Sequence, residues 1–238
     1  YFWVERNFAR MRAHFTGSLS LWGAFCRCPS RTRIHVVLYK AERVERSAMS
    51  LTPADAQAWN SELEAKSPQE ILAAALDKFD NIAISFSGAE DVVLVDMAAK
   101  LGKPFRVFTL DTGRLHSETY RFLEKVRTHY GVKLEVTFPD AAATEKLASE
   151  KGLFSFYVDD HKECCAVRKV GPLRRKLSTL NAWVTGQRKD QSPGTRVEIP
   201  LVQIDGAFST ATNQLIKFNP LASWSSAQVW QYIRANNV

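Results

Sequence analysis

Two cysteines stand side by side in Glu163-Cys164-Cys165-Ala166-Val167-Arg168-Lys169. Neighbouring cysteines seldom join each other, because their side chains diverge along most backbones and disulfide geometry is narrow. Thiolates are good ligands for soft metals and iron–sulfur clusters, and the cations that follow favour the thiolate form. The other reading of the pair is two buried structural cysteines. Three further stretches carry groups suited to an anion. Ser85-Phe86-Ser87-Gly88-Ala89-Glu90-Asp91 joins small side chains to a glycine, so backbone can approach a ligand closely. It lacks the Gly-Lys-Ser/Thr ending of a Walker loop, and alone it also fits an ordinary turn. Leu110-Asp111-Thr112-Gly113-Arg114 offers a carboxylate, for hydroxyl groups or for capping the next helix, and a guanidinium for phosphate. Residues 186–196 gather Arg188, Lys189 and Arg196 among turn formers after Gly186, the composition of a lid over an anion or of a solvated loop.

These stretches need a frame to bring them together. Thr52-Pro53-Ala54-Asp55 reads as a helix start, and Ser67-Pro68-Gln69-Glu70 as a capping box opening a helix through Leu76. Short apolar strands follow at Ile82 to Phe86, Phe105 to Leu110, Lys133 to Phe138, Ala182 to Thr185 and Leu215 to Phe218. Helices are expected at Val92 to Leu101, His116 to Tyr130, Ala141 to Lys151 and Ser225 to Ala235, with another around the cysteines. Strands alternating with helices predict an α/β fold, a mostly parallel sheet with helices on both faces. Ligands then bind outside the carboxyl ends of the strands, where the polar loops fall.

The formal net charge is +7, but it is unevenly placed. Residues 1–48 carry +6 of it and the remaining 190 only +1, so the body is nearly neutral and favours no nucleic-acid partner. Residues 1–48 read as an unstructured or non-native leader, an upstream extension or a transit peptide, with folded sequence from Met49. Leu19 to Cys26 is too short an apolar run to span a bilayer, and no secretory signal is evident. Cys26 and Cys28 fall in that leader and are not joined to the tandem pair. Without a disulfide framework, a reducing, cytoplasmic setting is expected.

From about Ser67 to Val238 the chain resembles the assimilatory sulfonucleotide reductases, of the adenine-nucleotide α-hydrolase-like (Rossmann-like) group. The matching residues are Ser85 to Asp91, Leu110 to Gly113 with Glu118-Thr119-Tyr120, Cys164-Cys165 with Arg168-Lys169 and Pro172-Leu173, and Gly186-Gln187-Arg188. The tandem cysteines are similar to those of the iron–sulfur subgroup, which reduces adenosine 5′-phosphosulfate (APS). The resemblance implies that Cys164 and Cys165 hold two of four ligand positions of a 4Fe-4S cluster. It implies that Ser85, Ser87 and Gly88 line the nucleotide site, with Leu110 and Gly113 near adenine and ribose, and counts Phe86, Asp91, Asp111, Arg114 and Gly186 among the substrate-binding residues. Lys169, Arg188 and Arg196 would neutralise the phosphosulfate. It further implies a nucleophilic cysteine that attacks sulfur, an S-sulfocysteine intermediate, release of AMP, and thioredoxin as the partner that frees sulfite. The sequence departs from that pattern: no cysteine follows Cys165, so the domain, residues 49–238, reads as C-terminally truncated and inactive alone. Oligomeric state, including a homo-oligomer, is left open. Three rivals stay open as well. A cluster-free reductase of the 3′-phosphorylated nucleotide (PAPS) would require the 3′-phosphate. An ATP pyrophosphatase or tRNA-modifying enzyme would release pyrophosphate, though Ala89 stands where such loops carry a second glycine. A nucleotide-binding module would bind AMP without turnover.

Overall fold

The computed structural model describes residues 51–157, 161–191 and 199–238, all within the second of the two units into which the chain divides, Ser47–Val238. The expected leader and Arg196 lie outside the described residues.

Helix α1 (Pro53–Leu63) starts at Thr52, whose hydroxyl accepts from the Asp55 amide while Asp55 reaches back to the Thr52 amide. Helix α2 (Pro68–Lys78) repeats this reciprocal cap with Ser67 and Glu70. Each box satisfies N–H groups that would otherwise be orphaned, worth about 1 kcal/mol apiece. Strand β1 (Ile82–Ser85), a short 3-10 turn (Ala89–Asp91) and α3 (Val92–Leu101) come next, then β2 (Val107–Leu110), α4 (Ser117–Tyr130), β3 (Leu134–Thr137) and α5 (Ala141–Lys151). Helix α4 ends at Gly131 with φ 62°, a left-handed residue that stops the helix where a Cβ would be strained. The cysteines form a four-residue α6 (Lys162–Cys165) that runs through a π-helical turn (Ala166–Val170) into α7 (Gly171–Leu177). Strands β4 (Ala182–Val184), β5 (Val202–Ile204) and β6 (Ile216–Phe218) and helix α8 (Ser226–Asn236) complete the described elements.

The strands form one sheet in the order β3-β2-β1-β4-β6-β5, parallel except for β5, which pairs antiparallel with β6. Strand β5 has no counterpart among the strands expected from sequence, because three residues between Pro200 and Asp205 carry no readable period. Its free edge is covered by Asn60 of α1, whose side-chain amide bonds both the N–H and the carbonyl of Val202. Alternate residues face opposite sides of the sheet. Ile82, Ile84, Ala182, Val184, Ile216 and Phe218 pack with Leu72, Leu94, Met97 and Val229 of α2, α3 and α8. Ala83, Phe108, Trp183 and Leu215 pack on the other side with Leu177 and Leu180. Helices therefore cover both faces, each fully buried large apolar side chain contributing about 1.5–3 kcal/mol. The chain runs outward from β1 to β2 and β3, then returns to the other side of β1 for β4. That reversal makes the carboxyl ends of β1 and β4 the topological switch point, where open α/β sheets hold ligands.

Candidate functional site

The loop after β1 is shaped by its own carboxylate. Asp91 Oδ2 accepts from the Ser87 amide (2.7 Å), the Ser87 hydroxyl (2.8 Å) and the Gly88 amide (2.9 Å). Burial raises the carboxyl's pKa, and the Ser87 and Gly88 hydrogen bonds oppose that rise. Oδ1 of the same carboxylate lies against Gly186, in the loop after β4: a Cβ built there would stand 2.0 Å from it. Gly186 is thus required for space, and the two loops of the switch point meet at Asp91. Ser85 is half-buried at the end of β1, while the ring of Phe86 is buried against Phe122 at 5.7 Å. Phe86, Ser87 and Gly88 border a cavity of about 250 Å³ closed by Leu110, Glu118 and Phe122. Its largely apolar wall suits a flat ring more than a phosphate. A larger, open hollow of about 780 Å³ between α1 and β5 takes in Lys189 but none of the residues expected to bind substrate, so chemistry favours the smaller cavity.

In the loop after β2, Asp111 is spent on its own turn. It accepts from the Gly113 amide at 2.8 Å and from the Tyr120 hydroxyl at 2.9 Å on both oxygens. The hydrogen bond raises the Tyr120 pKa. Arg114 donates Nη2 to the Leu153 carbonyl, across to the segment before the cysteines.

In the loop after β4, Arg188 is 3% exposed and lies between two carboxylates: Nη1 is 2.7 Å from Glu90 Oε2 and Nε 3.0 Å from Asp190 Oδ1. Ser226, first residue of α8, donates Oγ to Glu90 Oε1 at 3.0 Å and its amide to Asp190 Oδ2 at 2.5 Å. In the sequence Glu90 and Asp190 fall in candidate loops with no role of their own, and Ser226 is not singled out. Separations of 98 and 136 residues leave no local signal for such pairs.

The cysteine segment is built differently. His161, at φ 52°, turns the chain into α6, and both thiols are free and half-buried. The π-helical turn follows at once, a conformation that recurs at functional sites. It carries Arg168, which is 8% exposed and donates Nη1 to the Thr112 carbonyl at 2.8 Å, docking the segment on the loop after β2. Its buried Nε has no hydrogen-bond partner among the described residues. Lys169 beside it is exposed. Among the described residues, no three His, Cys, Asp or Glu side chains converge as a metal-ligand set. The fold thus brings Ser87, Gly88, Asp91, Gly186 and Arg188 together at the switch point. Thr112 and Gly113 lie against Arg168 of the cysteine segment, Arg114 reaches the Leu153 carbonyl, and Leu110 lines the small cavity.

A doubly covered, mostly parallel sheet with polar loops at its switch point defines a nucleotide-binding class of α/β protein. The chain belongs to the phosphoadenosine phosphosulfate reductase domain family, which matches residues 81–238. An adenosine 5′-phosphosulfate reductase of Pseudomonas aeruginosa (strain LESB58) is 58% identical over 195 residues, 82% of this chain and 73% of that protein. The chloroplastic 5′-adenylylsulfate reductase 1 of Arabidopsis thaliana is 56% identical over 74% of this chain and 39% of that longer protein. Among solved structures, a phosphoadenylyl-sulfate reductase from Candida auris, in a phosphate complex, superposes with TM-score 0.67 at 29% identity, covering 81% of this chain and 90% of that one.

Proposed function

We propose that this chain is the nucleotide- and cluster-binding part of an enzyme of sulfate assimilation that reduces APS to sulfite and AMP with electrons from thioredoxin. The observation that carries the reading is the docking of the tandem-cysteine segment, through Arg168 and Thr112, on the loops that ring the switch point. The identity with relatives named for APS supports the choice of substrate. Asp91 draws the amides of Ser87 and Gly88 inward, leaving those of Ala89 and Glu90, at the start of the short 3-10 turn, for the anionic end of the nucleotide. The small cavity between Phe86, Leu110 and Phe122 takes the adenine ring. Lys169, exposed beside the thiols, and Arg196 are the cations assigned to the phosphosulfate.

Cys164 and Cys165 fit two ligand positions of a 4Fe-4S cluster: both are free, partly exposed thiols, and an arginine with an orphaned buried N–H stands three residues on to offset thiolate charge. When bound, the cluster supplies a compact charged group that tunes the field around the substrate. In this reading its other two ligands, and the thiolate that attacks sulfur while AMP departs, come from outside the 238 residues. Thioredoxin then releases sulfite from the S-sulfocysteine. Free thiols favour a reducing compartment, the cytoplasm; among the described residues no helix is long and apolar enough to cross a membrane.

The test is sulfite release with thioredoxin, from APS and PAPS in parallel, by the full gene product purified without oxygen. Preference for APS is expected. Preference for PAPS would move the chain to the cluster-free reductases, a reading favoured by the Candida auris superposition. The 238-residue chain alone is expected to bind AMP and release no sulfite.

A further inference from the structure

A guanidinium at a nucleotide site is first taken for a ligand to phosphate, and Arg188 was expected to be one. Its surroundings argue otherwise. It is 3% exposed, and Glu90 and Asp190 both lie within 3.0 Å of it. Two carboxylates on one guanidinium leave Arg188 no charge to spare for an anion. A buried charge held by matched hydrogen bonds is instead suited to fixing geometry. The fixed parts belong to three loops at one end of the sheet. Glu90 sits in the short 3-10 turn after β1, Arg188 and Asp190 follow β4, and Ser226, which donates to both carboxylates, begins the helix that comes after β6. A backbone bond from the Lys189 amide to the Ala222 carbonyl, at 3.0 Å, ties the second and third loops again. One residue from Glu90, Asp91 presses on Gly186 and orients the amides of Ser87 and Gly88.

We propose that Glu90, Arg188, Asp190 and Ser226 are positioning residues: a closed ionic bridge that holds the loops after β1 and β4 at the spacing a sulfonucleotide needs, without touching it. The inference rests on the nucleotide-site reading above and deepens it. Its consequence is a sign. If Arg188 contacted the ligand, Glu90 would compete for it, so Glu90→Gln would tighten binding while Arg188→Lys weakened it. In a positioning bridge the two changes break the same object, so both weaken binding and the second adds nothing to the first.

The experiment is calorimetric titration of AMP into the 238-residue chain and into the Glu90→Gln, Arg188→Lys and double variants, with circular dichroism to check folding. Each single variant is expected to bind about tenfold more weakly, and the double no worse than the weaker single. A fall in melting temperature alone would accompany any structural role, whereas matching signs with non-additive losses in affinity would not. Tighter binding by Glu90→Gln, additive losses, or unchanged affinity in every variant would overturn the bridge while leaving the nucleotide site standing. Failure of the unaltered chain to bind AMP would overturn the nucleotide site and the bridge with it. Should the ionic variants not fold, Ser226→Ala decides, since it removes only the 3.0 Å bond to Glu90. Roughly two- to threefold weaker AMP binding is expected there, the cost of one hydrogen bond, and no change would overturn the proposal.

Discussion

The switch-point loops and the cysteine segment sit at one side of the same fold and are finished to different degrees. Around β1 and β4 the polar contacts close on one another: Asp91 on Ser87 and Gly88, Arg188 on Glu90 and Asp190, Ser226 on both of those carboxylates. Around α6 stand two free thiols, an exposed Lys169, and Arg168, whose buried Nε has no hydrogen-bond partner among the described residues. A preformed cradle is ready before its ligand arrives and loses little entropy on binding. A buried cation without a counter-charge is costly until an anionic group joins it, as the proposed cluster would. In the proposed reading, one region is specified by the chain itself and the other by the cluster it would hold.

The largest effect that would sharpen this contrast is all-or-none. Cys164→Ser or Cys165→Ser in the full gene product, purified without oxygen, is expected to abolish the visible absorption of the cluster. AMP affinity should stay within about twofold, because the cradle has its own bonds. A parallel loss of AMP binding in titrations would mean that the two regions form one cooperative unit. Next in size is Gly186→Ala. The new methyl group would lie 2.0 Å from Asp91 Oδ1, so either the loop after β4 or the carboxylate must move. A cost of about 3 kcal/mol in urea unfolding is expected, from overpacking plus loss of the Asp91 hydrogen bonds. A stability within 0.5 kcal/mol or so of the parent would show that the loops yield easily and that the cradle is not preformed.

A further anchor lies just beyond the cysteine segment, and pH can loosen it. Helix α7, which continues from the π-helical turn, holds Lys176 against Glu135 of β3, and Arg106 grips the same carboxylate at 2.7 Å. The Arg106 hydrogen bonds, then those of Lys176, bring the Glu135 pKa down to about 2. A depressed carboxylate contributes stability that is present above its unfolded pKa and is lost as pH falls through the folded value. Glu135→Gln should therefore cost a constant amount above about pH 5 and progressively less between about pH 4.5 and 2. The full shift would be worth about 3 kcal/mol; with Arg106 40% exposed, solvent screening reduces this to roughly 1–2 kcal/mol. Urea midpoints for parent and variant across that window check it, and a gap that persists at pH 2 would place the stabilisation elsewhere.

Most of the frame was legible because it is local. The Thr52 and Ser67 caps, the stop at Gly131 and the apolar strands are written in neighbouring residues, and α5 occupies the span Ala141 to Lys151 read from sequence. Strand Phe105 to Leu110 is shorter than expected, since β2 begins only at Val107 and Arg106 spends its side chain on Glu135 and Asn81. What stayed hidden is long-range or conformational. Nothing in Ala166-Val167-Arg168-Lys169-Val170 distinguishes a π-helical turn from an α-helix. No spacing rule pairs Glu90 with Arg188 or makes Gly186 the neighbour of Asp91. Candidate residues could be named from sequence, but that Asp91 faces Gly186 and Arg188 faces Glu90 could not.

The loop after β2 belongs to both regions, and it yields the smallest and most local test. Its turn is closed by Asp111, which the Gly113 amide and the exposed Tyr120 hydroxyl both engage, and its Thr112 carbonyl receives Arg168. Tyr120→Phe removes one hydrogen bond to a carboxylate at a solvent-facing position, worth about 0.5–1 kcal/mol. Global unfolding should hardly register it. Hydrogen exchange should, because the Gly113 amide is held by the same carboxylate; its exchange is expected to quicken about two- to fivefold while that of the Ser87 and Gly88 amides is unchanged. Faster exchange in all three would mean that the loops after β1 and β2 open together, and the boundary between cradle and cysteine segment would then have to be drawn beyond β2.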